Sequence, residues 1–287
     1  MRSFFHKKNI YFLSLIFISV GIGLQLDFYK PVIVLLFLQW IFSRDFSNKI
    51  HRLKKNKFAI GLIALYSLYA LSILWSANIN VALNDILLKI PMLVFPIIII
   101  SNKELPKKQV SIILLAFAFS SVAINIYCLI DGMLNYLNNN QWNELYYQRL
   151  TINMHTAYQA LFTCFSIAIL VNCFLIYRLV KNWLIYLFVP FQLVFLLMLA
   201  SRMQILLMAI IIPAFLITYF YNKKKLLIGF IYTFLIFFTL IMLAKNSSSP
   251  SLKYRYKQTM SYVDNIGIEN GNSDPRKFIW QKGAQLI

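Results

Sequence analysis

Residues 198–207, MLASRMQILL, place one arginine, Arg202, between two long apolar runs. The flanking residues, 183–200 and 204–221, contain no charged side chain. A span of hydrocarbon needs about 20 mostly apolar residues, or a few fewer where flanking residues snorkel. The two runs therefore predict a pair of transmembrane helices joined by a tight turn, with Arg202 in that turn.

The rest of the chain has the same character. Of its 287 residues 60% are hydrophobic and 13% charged, and the mean hydropathy is +0.68. These values are typical of an all-α polytopic membrane protein. The apolar runs predict nine spans in a single integral membrane domain, at about residues 9–26, 28–43, 58–76, 80–101, 109–130, 156–177, 183–200, 204–221 and 226–244.

The fourth of these spans is the weakest. It contains Asp85, Lys89, Pro91 and Pro96. Proline removes a backbone donor, so we expect either a kinked span or an interfacial segment that leads into a short one.

The net charge of +19 is distributed by side. With a cytoplasmic N-terminus, 17 of the 28 lysines and arginines, but only two of the nine acids, fall on the cytoplasmic side. Connectors 44–57, 102–108, 178–182 and 222–225 are all basic, which is the positive-inside pattern. The charge therefore indicates topology and contact with membrane lipids, and nucleic-acid binding is not expected.

Other sequence signals are few. The basic start, MRSFFHKKN, and the long apolar run after it predict a retained signal anchor. Cys128, Cys164 and Cys173 fall inside predicted spans, where packing is their expected role. The chain contains no phosphate-binding glycine loop and no metal-ligand motif, so no cofactor or metal is expected.

Two hydrophilic segments, 131–155 and 245–287, are predicted to lie outside. Both combine Tyr, Trp and Asn with Arg and Lys, a mixture that suits sugar hydroxyls and rings. For Trp142, Tyr146 and Tyr147 an interfacial aromatic belt is the alternative, and the sequence leaves both open.

The turn at Arg202 has the features of an anion site. The eighth span runs inward on this topology, with Ser201 as its expected N-cap. Its free N–H groups and positive dipole end would then point to the outer surface, beside Arg202.

The start of the sixth span repeats this arrangement. It begins near Thr156, with His155 just before it and Arg149 upstream, and the final outer segment adds Arg255 and Arg276. A guanidinium fork matches phosphate oxygens, so a diphosphate is the natural ligand. In the alternative interpretation each arginine only snorkels to head groups or anchors a helix end.

Three short elements occur in a fixed order: RLTINMHTAYQA at 149–160, SR at 201–202 and RKFIW at 276–280. In this order, on this topology, the chain resembles the bacterial O-antigen ligase and O-antigen polymerase family. The resemblance covers about the last half of the chain, and the earlier spans agree in number and hydropathy.

The resemblance implies a multispan glycosyltransferase that uses neither nucleotide sugars nor metals. Such an enzyme moves a glycan from undecaprenyl diphosphate to a lipid or sugar acceptor on the outer face of the bacterial inner membrane. We expect Arg202 and Arg276 to hold the diphosphate, with Arg149 and Arg255 as secondary contacts. His155 is expected to act as the base or as a phosphate donor.

Two departures from the family pattern matter. Many relatives have proline where this chain has Thr156. Relatives also continue past the third element with a glycine-rich stretch, an important histidine and closing spans. We therefore expect the natural reading frame to extend beyond Ile287, with part of the active site there.

Two rival functions stay open. A flippase or transporter predicts charges or broken helices near mid-membrane and an internal repeat, and we find no repeat. A non-catalytic subunit of a polysaccharide assembly system is the other rival. Between ligase and polymerase the sequence gives no decision.

Overall fold

The computed structural model describes residues 7–42, 46–76, 78–102, 104–174 and 181–222, and all regular structure within them is helical. Short 3₁₀ turns follow the fourth helix and precede the eighth, and a π turn follows the sixth. The α-helices of the described residues are α1 (Lys7–Gly23), α2 (Tyr29–Phe42), α3 (Phe46–Lys55), α4 (Lys57–Leu71), α5 (Ile79–Lys89), α6 (Pro91–Phe95), α7 (Lys107–Asn139), α8 (Thr156–Asn172), α9 (Asn182–Met198) and α10 (Arg202–Asn222).

Among the described residues, three helical stretches are long and apolar enough to cross a membrane: Lys57–Trp75, Ile79–Ile100 and Lys107–Asn139. The shorter apolar helices coincide with five more of the predicted spans. An all-helical chain with helices suited to a membrane is thus confirmed. The nine-span arrangement stays a prediction, and the ninth span, 226–244, and the outer segment 245–287 lie outside the described residues.

The predicted fourth span is interrupted at its prolines. Helix α5 ends at Lys89, Pro91 opens α6, and the backbone then widens into a π turn over Pro96–Ile100. Proline at the first helical position is compatible with a new helix because it has no N–H to satisfy. The helix is therefore interrupted at the positions of the two prolines.

The chain divides into two packed units. The first comprises Met1–Tyr127 and Leu161–Leu193, and the second comprises Cys128–Ala160 and Val194–Ile287. In the first unit one apolar cluster joins α7, α8 and α9, and another joins α1 and α2 to the π turn. The three cysteines are buried, which agrees with the predicted packing role.

A buried hydrogen-bond network links three helices of the first unit. Asn125 of α7 donates from Nδ2 to Thr163 Oγ1 of α8 at 2.9 Å and to Gln192 Oε1 of α9 at 2.5 Å. Gln192 Nε2 donates to Ser166 Oγ, which donates to the carbonyl of Ala118. The four side chains are fully buried. Because water cannot reach them, their polar groups need partners within the protein, and these bonds supply them.

Helix α3 packs against the end of α2 and against Ser101 in the first unit. Trp40 Nε1 donates to Ser101 Oγ at 2.6 Å, and Arg52 Nη1 donates to the Ser101 carbonyl at 3.1 Å. Lys49 Nζ lies over the Trp40 ring, 4.5 Å from its centroid. These contacts join connector 44–57 to the residue that immediately precedes connector 102–108.

Helix α1 approaches α7 closely at Gly23. A Cβ atom at this position would lie 2.6 Å from Ser120 Cβ and 2.9 Å from the Phe117 carbonyl oxygen. Backbone cannot yield as a flexible side chain can, so the contact requires glycine. In contrast, a Cβ atom on Gly61 of α4 would meet nothing within 4 Å.

We therefore expect Gly23→Ala to lower the free energy of unfolding by about 1–3 kcal/mol, because it overpacks the α1–α7 contact. The matched control Gly61→Ala should be neutral or stabilising, since alanine favours a helix interior by about 0.5–1 kcal/mol. Equilibrium unfolding in mixed micelles measures both. Equal stability of the two variants would contradict the close contact.

Candidate functional site

The N-terminus of α8 is capped by His155. The amides of Tyr158 and Gln159 donate to the His155 carbonyl at 2.9 and 3.3 Å, and the amide of Ala157 donates to His155 Nδ1 at 3.3 Å. The helix begins at Thr156, which confirms the boundary predicted from sequence. The histidine side chain thus satisfies one of the orphan donors of the helix end.

The hydrogen bond at Nδ1 determines which nitrogen of the His155 ring can donate. Because Nδ1 accepts a hydrogen bond from Ala157, a neutral imidazole carries its proton on Nε2. The residue is exposed, so Nε2–H is presented as a donor. A donor fits a phosphate oxygen, whereas a general base would need a free acceptor nitrogen.

A connection of three residues, 199–201, joins α9 to α10. Ala200 in this connection has a left-handed φ of 49°, and the first hydrogen bond of α10 runs from the Ile205 amide to the Ser201 carbonyl at 3.0 Å. Ser201 therefore occupies the predicted cap position, and its hydroxyl donates to Gln204 Oε1. Arg202 is the first residue of the helix.

Gln204 connects the two helix N-termini within the second unit. Its Oε1 accepts from Ser201, and its Nε2 donates to the carbonyl of Ala157 in the first turn of α8 at 3.1 Å. The N-terminus of a helix carries a positive partial charge of about 0.5. The arrangement gathers two anion-attracting ends at one place.

Beneath the start of α8 the side chains are polar. Thr156 is 1% exposed, and its Oγ1 has no hydrogen-bond partner among the described residues. Gln159 Nε2 donates to Cys128 Sγ at 3.4 Å. A buried hydroxyl without a hydrogen bond lowers the stability of the fold, so Thr156 carries such a cost at the start of α8.

Arg149 has partners of its own. It lies in the 3₁₀ turn Tyr147–Leu150, where Nη1 meets Glu144 Oε1 at 2.5 Å and Gln141 Oε1 at 3.3 Å. The Glu144 side chain is only 13% exposed. An incoming diphosphate would have to compete with this carboxylate for the guanidinium.

Three predicted site residues remain: Arg202, Arg255 and Arg276. The structure gives the backbone position of Arg202, and Arg255 and Arg276 lie outside the described residues. Within the described part of the chain, no group of three His, Cys, Asp or Glu side chains could hold a metal ion. The structure thus brings together the helix ends of His155 and Arg202.

Comparison of the chain with protein-family models, with curated proteins and with solved structures gives no match. The resemblance described above therefore depends on its three short elements and their order.

Gln204 offers a direct test of the bridge. Gln204→Leu should lower the free energy of unfolding by about 1–2 kcal/mol, because the Ser201 hydroxyl and the Ala157 carbonyl each lose a partner. The neighbouring Met203 is 72% exposed, so Met203→Leu should change the free energy of unfolding by less than about 0.5 kcal/mol. Equal unfolding midpoints for the two variants would rule out the bridge.

Proposed function

We propose that the chain is a membrane glycosyltransferase of the O-antigen ligase or polymerase type. It moves a glycan from undecaprenyl diphosphate to a lipid or sugar acceptor on the outer face of the bacterial inner membrane. The apolar helices and the ordered sequence elements support the class, and neither a metal nor a cofactor is part of the proposal.

The observation that carries the proposal is the bridge made by Gln204 between the starts of α8 and α10. Two helix N-termini at one place attract an anion more strongly than either end alone. His155 precedes one helix and Arg202 begins the other, so a hydrogen-bond donor and a guanidinium belong to the same two ends. A diphosphate carries the charge and the several oxygens that such a site can hold.

The proposed reaction is a single displacement at the anomeric carbon. An acceptor hydroxyl attacks that carbon, the bond from carbon to the diphosphate oxygen breaks, and the bonding electrons leave with the diphosphate. A base takes the hydroxyl proton as the new glycosidic bond forms. Negative charge grows on the leaving oxygen, where preorganised donors stabilise the transition state more than the ground state.

Within this scheme the side chains take separate roles. Arg202 and Arg276 bind the diphosphate, with Arg149 and Arg255 as outer contacts. His155 donates from Nε2 to a phosphate oxygen, a role supported by the hydrogen bond that Nδ1 accepts. Arg149 joins only by exchanging Glu144 for a phosphate oxygen, which makes its contribution smaller.

A flippase is the second candidate, and one feature favours it. Asp85 and Lys89 form an ion pair of 2.9 Å inside the stretch Ile79–Ile100, beside a cavity of about 390 Å³. Transporters place paired charges within membrane-spanning segments. A flippase moves the lipid-linked glycan without breaking the sugar–phosphate bond, so product analysis separates the two functions, and a non-catalytic subunit gives neither product.

The decisive residue for the transferase is Arg202. Arg202→Ala should reduce transfer of an undecaprenyl-diphosphate-linked glycan by about 10²–10³-fold, by analogy with the loss of one preorganised donor. Arg202→Lys should rescue poorly, because a point charge cannot reproduce the bidentate fork. The assay uses purified protein with ATP and divalent metal omitted.

Lys181 provides the matched control. It is an exposed basic residue immediately before the first residue of α9, and it lies on the predicted cytoplasmic side. Lys181→Ala should transfer as well as the wild type. Transfer at the wild-type rate by Arg202→Ala would remove that residue from the site, and a strict need for ATP would overturn the proposed reaction.

A further inference from the structure

Helix α3 has one face tied to the first unit. Lys49 is 3% exposed and donates to the Trp40 carbonyl at 2.5 Å, and Arg52 donates to the Ser101 carbonyl at 3.1 Å. The Lys49 ammonium also lies 5.0 Å from the centroid of the Phe46 ring. These contacts fix the rotation of α3 about its own axis and so decide which side chains face outward.

The outward face of α3 mixes apolar and basic side chains. Ile50 is 49% exposed. Phe46, one helical turn earlier, is 40% exposed and packs edge-on against Trp40, with 5.5 Å between the ring centroids. Lys54 and Lys55 are exposed at the end of the helix, and Lys57 is exposed just beyond it. Apolar residues beside lysines on a short helix are typical of helices that lie in the plane of a membrane interface.

A second group of lysines belongs to the same unit. Lys107 and Lys108 are exposed at the start of α7. The bond from Arg52 to Ser101 joins α3 to the segment that leads into this helix. We define the basic surface as these two lysines with those of the α3 end: Lys54, Lys55, Lys57, Lys107 and Lys108.

The charge balance of this region is strongly positive. Connectors 44–57 and 102–108 together contain nine lysines and arginines, and their acids are Asp45 and Glu104. A surface of this kind attracts anions at the cytoplasmic leaflet, where anionic lipids produce a negative potential. The exposed Phe46 and Ile50 fit the boundary between head groups and acyl chains, which a soluble acidic partner does not offer.

We propose that the basic surface docks onto anionic phospholipid head groups while Phe46 and Ile50 enter the acyl boundary beside them. The docked lipids hold α3, and through the bonds of Lys49 and Arg52 they hold Trp40 and Ser101. Anionic lipid is therefore a structural partner of the connection between α2 and α4. This inference is independent of the transfer reaction.

The test compares thermal unfolding of the whole chain in nanodiscs of phosphatidylglycerol and of phosphatidylcholine. Phosphatidylglycerol should raise the midpoint of the wild type by several degrees, because a ligand that binds the folded state stabilises it. The double variant Lys54→Gln/Lys55→Gln should lose about half of this rise. Raising the salt to about 1 M, where the Debye length is about 3 Å, should also reduce it.

Controls separate this surface from charge in general. Lys30 is exposed and pairs with Asp27 at 2.7 Å at the start of α2, so Lys30→Gln should keep the full rise. Ile50→Ser should reduce the rise while leaving the charge unchanged. In phosphatidylcholine nanodiscs all variants should have the unfolding midpoint of the wild type. If the double variant does not, Lys57→Gln/Lys108→Gln takes its place.

Three outcomes would overturn the proposal. The first is that phosphatidylglycerol raises the unfolding midpoint of the double variant as much as that of the wild type. The second is that Lys30→Gln loses as much of this rise as the double variant does. The third is the same rise when glycerol phosphate is added to phosphatidylcholine nanodiscs, because this would assign the site to free phosphate and not to a lipid surface.

Discussion

The hydrogen bonds of the Asn125 side chain hold α7, α8 and α9 together in the first unit. Between helices in lipid there is little hydrophobic drive, so association depends on packing and on such bonds. Each hydrogen bond stabilises the fold by about 1 kcal/mol. Leaving a buried side-chain amide without a partner costs more, about 1–3 kcal/mol. The network therefore defines one arrangement of the three helices by penalising the others.

The candidate site lies in the second unit and depends on a polar contact of its own. Helix α8 begins there at Thr156, next to His155. The hydrogen bond from Gln204 to the Ala157 carbonyl joins the start of α10 to the start of α8. An uncharged side chain therefore brings together the two helix ends that carry His155 and Arg202.

Much of this arrangement could be predicted from the sequence. Apolar runs mark helices by composition alone, and this marks the start of α8. The start of α10 follows from Ser201, since serine commonly caps helices. Gln204 was missed, although the spacing of Ser201 and Gln204 is the S-x-x-Q pattern of a capping box. Its partner in α8 is distant in sequence, and one sequence does not reveal such a pairing.

The polar network and the partner of Arg149 were missed for related reasons. Asn125 and Gln192 are neutral residues within apolar runs, a signal for contact between helices that does not say which helices meet. Glu144 lies five positions from Arg149, across two 3₁₀ turns that no apolar periodicity marks. Where a contact depends on loop geometry or on two helices meeting, composition and spacing give the residue types but not the pairs.

The most direct measurement of the central claim is the binding of pyrophosphate, the head group of the proposed donor, to the purified chain by titration calorimetry. If the starts of α8 and α10 form one diphosphate site, Arg202→Ala should raise the Kd about tenfold or more, as expected for the loss of a charge-assisted hydrogen bond. Lys181→Ala should leave the Kd unchanged. Equal affinities in the wild type and Arg202→Ala, or no binding by the wild type, would contradict the account.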